Sequence, residues 1–124
     1  MKYLVVLLFL IPFYTKLNGQ KTIKIEDINN HIGDSVTICS KVYEAVHQPR
    51  VKGAPTYLYI GNLYPEQPLT VLIERKDRAN FDDRPEMKYV CKEVCISGRL
   101  VLYNGKAGMI VTVPEQIVIQ QQNY

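Results

Sequence analysis

The chain has 124 residues, with 15 Lys+Arg against 12 Asp+Glu, nine tyrosines, three cysteines and no tryptophan. That length holds one small domain, and no low-complexity stretch, internal repeat or long linker divides it. The excess of +3 suggests a polyanion partner, but the leader described next carries two of the lysines, Lys2 and Lys16, and no acid. Without it the balance is 13 against 12, or +1, which excludes a bulk positive field and leaves only a local patch to attract nucleic acid.

Residues 1–19 read as a secretory signal peptide. Lys2 gives a positive start, Leu4 to Phe13 is an apolar run of about ten residues, and Leu17-Asn18-Gly19 ends on a small residue. A spanning helix needs roughly twenty apolar residues, so the run is too short for an anchor. Cleavage before Gln20 is expected, leaving residues 20–124 as a single exported domain, periplasmic or secreted, with no stable membrane insertion.

Ile25, Ile28 and Ile32 fall at helical spacing, Glu26 and Asp27 suit a first turn, and Gly33 suits a stop. A short amphipathic helix over Glu26 to Ile32 is expected, with its isoleucines on the core. Val36 to Val46 alternates: Val36, Ile38 and Val42 share one face, Thr37, Cys39, Lys41 and Tyr43 the other. This predicts a long half-buried strand. "HQPRVKGAP" (His47 to Pro55) breaks it with two prolines and a glycine. Thr56 to Ile60 is the second predicted strand, "YPEQP" (Tyr64 to Pro68) a turn, and Leu69 to Glu74 the third strand. "RKDRANFDDRPEMKY" is a polar excursion in which Pro85 can open one helical turn. Lys92 to Tyr103 is the fourth strand, with a bend or bulge at Gly98. Asn104-Gly105 is a hairpin turn and Ala107 to Val113 the fifth strand. Pro114 ends it, and "EQIVI" adds a last extended piece.

Five strands of this length leave awkward open edges unless they close on themselves. The fold expected is therefore all-β: a small five-stranded barrel with a short N-terminal helix. The first strand is long enough to bend and serve both ends of it.

"IGDSVTICSKV", "PTYLYIGNLYPEQPLTVLI" and "YVCKEVCISGRLVLYNGKAGMIVTVPEQI" together resemble the oligonucleotide/oligosaccharide-binding (OB) fold, in the group that includes anticodon-binding and helicase-type nucleic-acid-binding domains. The resemblance covers Gly33 to Ile119. It implies a ligand face on strands two and three, flanked by the loops joining strands 1–2 and 4–5. On this chain those loops are His47 to Ala54, with Arg50 and Lys52, and Tyr103 to Lys106, with Tyr103 and Lys106 themselves. By polarity Leu58 and Ile60 point inward, so Tyr57 and Tyr59 face outward, with Tyr43 placed nearby.

Aromatic faces stack on bases or sugars and cations track phosphates, so Tyr43, Tyr57, Tyr59, Tyr103, Arg50, Lys52 and Lys106 form the candidate ligand-binding set. Exposed tyrosines are also ordinary strand formers that pair across a sheet. Single-stranded nucleic acid is the leading partner. A structural or protein-interaction role, or a small-ligand or glycan site, is the alternative.

Nothing in the sequence points to catalysis. His31 and His47 have no serine or cysteine at a recognisable spacing and read as surface residues. Asp77, Asp82 and Asp83, interleaved with Arg75, Lys76, Arg78 and Arg84, read as a solvated loop. No Gly-rich phosphate loop occurs, and no zinc spacing is present. A non-enzyme without metal or cofactor is expected. Three cysteines cannot all pair internally. Cys91 and Cys95, four apart on a straight strand, would have Cα atoms about 13 Å apart, too far for a bond. In the OB topology strands one and four are antiparallel neighbours, which makes a Cys39–Cys95 bond conceivable. Free, partly buried thiols are the other reading.

Overall fold

The computed structural model describes residues 20–121, so the signal peptide expected over residues 1–19 lies outside them. The chain forms β1 (Lys21–Ile23), a 3-10 turn (Ile25–His31), β2 (Ser35–His47), β3 (Thr56–Ile60) and β4 (Leu69–Ile73). Two single helical turns follow, α1 (Arg75–Arg78) and α2 (Pro85–Lys88). Then come β5 (Glu93–Tyr103), β6 (Lys106–Ile110), a 3-10 turn (Pro114–Gln116) and β7 (Ile117–Ile119). The fold is mostly β, and its strands number seven rather than the expected five. Of the two further strands, each three residues long, β7 falls in the extended piece expected at "EQIVI", and β1 has no counterpart in the expected order.

The strands form one mixed sheet in the order β1-β2-β3-β4-β6-β5-β7, and β5 returns to pair with β2, curling the sheet into a partial ring. The long β2 makes this possible. Its first half, Ser35 to Lys41, pairs antiparallel with β5; its second half, from Val42 to His47, pairs with β3. The register shifts between Val42 and Glu44, so a bulge bends the strand where it changes partners. β4 and β6 pair in parallel. β5 runs through Gly98 in register with β2, opposite Val36, and the glycine serves close packing: a Cβ there would lie 2.8 Å from Met109 Sδ.

Alternation builds the core. Val36, Ile38, Val42, Leu58, Ile60, Leu69, Val71, Ile73, Val94, Ile96, Leu100 and Met109 are all buried inside the curl, while their neighbours along each strand face out. Burying a side chain of this kind stabilises the fold by about 1.5–3 kcal/mol. Phe81 and Tyr89, from the polar excursion, meet edge to face with centroids 6.3 Å apart and join this core.

The expected α-helix is a 3-10 turn. A three-residue repeat puts Ile25 and Ile28 on one side, and Ile28 is buried; Ile32 lies beyond the turn and is exposed rather than packed on the core. The polar excursion is also less solvated than its composition suggests. Arg78 grips Glu86 with two hydrogen bonds of 2.6 and 2.8 Å and donates a third, 2.8 Å, to the buried Thr56 hydroxyl. His47 Nδ1 lies 3.0 Å from that same hydroxyl, so this histidine is a packed residue rather than a free surface one. The Arg78 hydrogen bonds hold the Glu86 carboxyl below the usual carboxylate range.

Cys39 and Cys95 face each other across β2 and β5 and are bonded, S–S 2.07 Å; Cys91 is exposed and free.

Candidate functional site

Two adjoining depressions lie across β3, β4 and the β5–β6 turn. On β3 the buried Thr56, Leu58 and Ile60 alternate with Tyr57 and Tyr59, so both rings project on the outer side. Their planes are within 6° of parallel, with centroids 6.2 Å apart. Tyr103, the last residue of β5, reaches the same surface: its hydroxyl lies 3.2 Å from that of Tyr57, with ring centroids 6.3 Å apart. Tyr64, from the turn before β4, closes the row at 5.2 Å from Tyr59. Four tyrosines from three parts of the chain thus run in sequence Tyr64, Tyr59, Tyr57, Tyr103.

Two glycines position this row. Gly105, with φ +78, and Asn104, with φ +49, form the tight turn that brings Tyr103 opposite Lys106. Gly108 on β6 has no side chain because Tyr103 lies across it: a Cβ there would fall 2.7 Å from Tyr103 Cβ.

The two phenols on β3 are held in the protonated form. Burial, reinforced by the hydrogen bond to Tyr103, pushes the Tyr57 pKa up to about 12. Burial and then the nearby Glu44 carboxylate raise that of Tyr59. Neutral phenols present apolar faces with one hydroxyl each, which suits stacking against a flat ring.

Tyr57 and Tyr103 form a ridge between two depressions. The first, of about 540 Å³, runs past Tyr59 and Tyr64 and is floored by Gln67 and Thr70, with Glu44 and Lys106 at its wall. Lys106 Nζ donates to the Pro65 carbonyl, tying the β5–β6 turn to the turn before β4. The second, of about 800 Å³, lies on the other side and carries Lys52, Arg75 and Lys76 with Glu74. Lys76 and Glu74 sit 3.8 Å apart, both exposed, a pair of little energetic weight. The groove therefore has aromatic rings at its centre and a net positive flank.

Of the seven ligand-binding residues expected from the sequence, Tyr57, Tyr59, Tyr103, Lys52 and Lys106 come together here. Tyr43 and Arg50 line neither depression. Tyr43 is exposed at the β2 bulge, under the Lys41 ammonium at 5.1 Å from its ring centroid. Sequence reasoning passed over Tyr64, Gln67 and Thr70. Only the last had a local signal, its place on a predicted strand. It also passed over Arg75 and Lys76, read only as part of a solvated excursion.

Among the described residues no group of three or more His, Cys, Asp or Glu side chains is placed to hold a metal ion. No helix among them is long and apolar enough to cross a membrane.

No protein-family model matches the chain, and no curated protein matches it. Among solved structures, the chain is similar to a Leishmania major Friedlin protein described as an aspartyl-tRNA synthetase, with a TM-score of 0.51 at 9% identity. The match takes in 90% of this chain and only 23% of that one, and at this identity it speaks for the fold alone.

Proposed function

We propose that this chain is an OB-type barrel module, exported after loss of residues 1–19, that holds single-stranded nucleic acid along the tyrosine groove and acts by binding rather than catalysis. The ring of pairings β2–β3–β4–β6–β5–β2 supports the barrel, with β1 and β7 as accessory edges. The fold likeness to part of a protein described as an aspartyl-tRNA synthetase supports the fold, and the ligand class rests on the groove itself.

The observation that carries the reading is the row Tyr64, Tyr59, Tyr57, Tyr103 flanked by Lys52, Arg75, Lys76 and Lys106. Each base stacked on such a ring contributes about 1–3 kcal/mol without regard to sequence, and cations beside the rings take the phosphates. A domain near neutrality can bind a polyanion only through such a local cluster.

Fluorescence anisotropy with a labelled oligothymidine at two salt concentrations tests it. Affinity must fall as salt rises, with a log–log slope of up to about 3 if all four cations meet phosphates. No binding at low salt defeats the proposal in favour of a protein-interaction role.

A further inference from the structure

The first depression contains a polar group that backbone tracking and ring stacking leave unused. Gln67, in the turn before β4, is only 5% exposed. Its Nε2 donates to Thr70 Oγ1 at 3.1 Å, and its Oε1 is buried with no hydrogen-bond partner. An unpaired buried acceptor costs about 1–3 kcal/mol, so a donor from outside the chain, a water or a ligand group that displaces it, is favoured there. Glu44 stands at the wall of the same depression, anchored by a 3.4 Å contact from the Tyr64 amide to its Oε2. Tyr59 and Tyr64, inclined at 41°, supply ring faces beside these two acceptors.

We infer that this depression reads one base of the bound strand by its edge, selecting an edge rich in N–H donors, guanine over thymine. The inference rests on the nucleic-acid reading above. Guanine offers its N1–H and its N2 amine to the Gln67 oxygen and the Glu44 carboxylate. Thymine offers one N–H between two carbonyl oxygens, and a carboxylate repels those oxygens. A site built to accept hydrogen bonds discriminates strongly against a ligand that cannot donate them, because its own groups are then left unpaired.

The test is anisotropy at one fixed salt concentration with three short oligothymidines: unsubstituted, or bearing one central guanine or one central hypoxanthine, which lacks the N2 amine. The guanine strand should bind roughly tenfold more tightly than the unsubstituted one, as expected of a good base-edge contact, with hypoxanthine between them. Gln67→Met and, separately, Glu44→Gln should each shrink the guanine-to-thymine ratio to within about threefold, the loss of one such contact. If Gln67→Met does not fold, Glu44→Gln on the outer side of β2 decides the same point. Equal affinities, a preference for thymine, or a ratio that survives the substitutions overturns the inference and leaves the groove reading standing. Failure of every strand to bind overturns both.

Discussion

Reducing the Cys39–Cys95 bond should weaken the fold without dissolving it. The two cysteines are 56 residues apart, so in the chain-entropy view the bond removes loop-closure freedom from the unfolded chain worth roughly 4 kcal/mol. The native state keeps its own reasons to hold together there. Seven register pairs from Ser35↔Arg99 to Lys41↔Glu93 join β2 to β5, and the inward residues of both strands are buried in the core. Small domains have only about 5–15 kcal/mol of stability, so the loss is large but survivable. Urea unfolding of a Cys91→Ser variant, with and without reductant, measures it free of thiol exchange. With a slope of roughly 1–2 kcal/mol per molar, the midpoint should fall by about 2–4 M. An unchanged midpoint would show that the bond does not constrain the unfolded chain, and the argument would fail.

Leu58→Ala, at a fully buried site, should cost about 2–5 kcal/mol, whereas Tyr57→Ala and Tyr59→Ala should cost roughly 1 kcal/mol each while losing oligonucleotide affinity. Melting curves that drop as far for the tyrosines as for Leu58 would mean that the rings are core and the groove is not a binding face. Gly108→Ala places a methyl 2.7 Å from Tyr103 Cβ, so it should cost about 1–3 kcal/mol and weaken oligonucleotide binding; unchanged binding would remove Tyr103 from the site. Glu86 has a folded pKa below its ordinary 4.5, so its contribution is present above that pH and lost as pH falls through the lower folded value. Glu86→Gln should therefore cost about 1–3 kcal/mol at neutral pH and flatten the acid limb of a pH–stability curve. Tyr57 is shifted the other way, from 10.0 to about 12. Its contribution is whole below pH 10 and lost as pH rises toward 12, and Tyr57→Phe should remove that part of the alkaline decline.

The parts of the fold legible in the sequence are those governed by local alternation. The long first strand, the Thr56 to Ile60 strand and the Asn104-Gly105 hairpin all declare their buried faces by period two, and the structure has strands at those places. β1 is three residues long, too short for any periodic signal, while β7 falls in the extended piece expected at "EQIVI", whose partner strand the sequence does not reveal. Both are extended because Lys21 to Ile23 finds β2 and Ile117 to Ile119 finds β5, partners distant in sequence. The isoleucines at 25, 28 and 32 fit an α repeat, but the first pair fits a 3-10 turn equally well. Local spacing cannot choose between them, and the structure follows the three-residue repeat from Ile25 to Ile28.

The candidate site divides along the same line. Tyr57 and Tyr59 could be placed because one strand carries both. Tyr64 and Gln67 lie in a turn whose composition says only that the chain reverses there. Their meaning comes from β4 pairing with β3 and β6, which sets Thr70 beside Tyr59 on one flank and beside Gly108 on the other. Gly108 in turn makes room for Tyr103, so the tyrosine row depends on a glycine that no motif distinguishes from an ordinary weak point in a strand. Tyr43 misleads for the converse reason. It sits on the same strand as Glu44, but the register shift between Val42 and Glu44 pairs Glu44 rather than Tyr43 with Tyr59, so Glu44 lines the groove and Tyr43 lies under the Lys41 ammonium outside it. A one-residue irregularity in β2 thus gives the groove a carboxylate where simple alternation would have continued the aromatic surface, and on the proposed reading that exchange adds an acceptor for a base edge to a stacking surface.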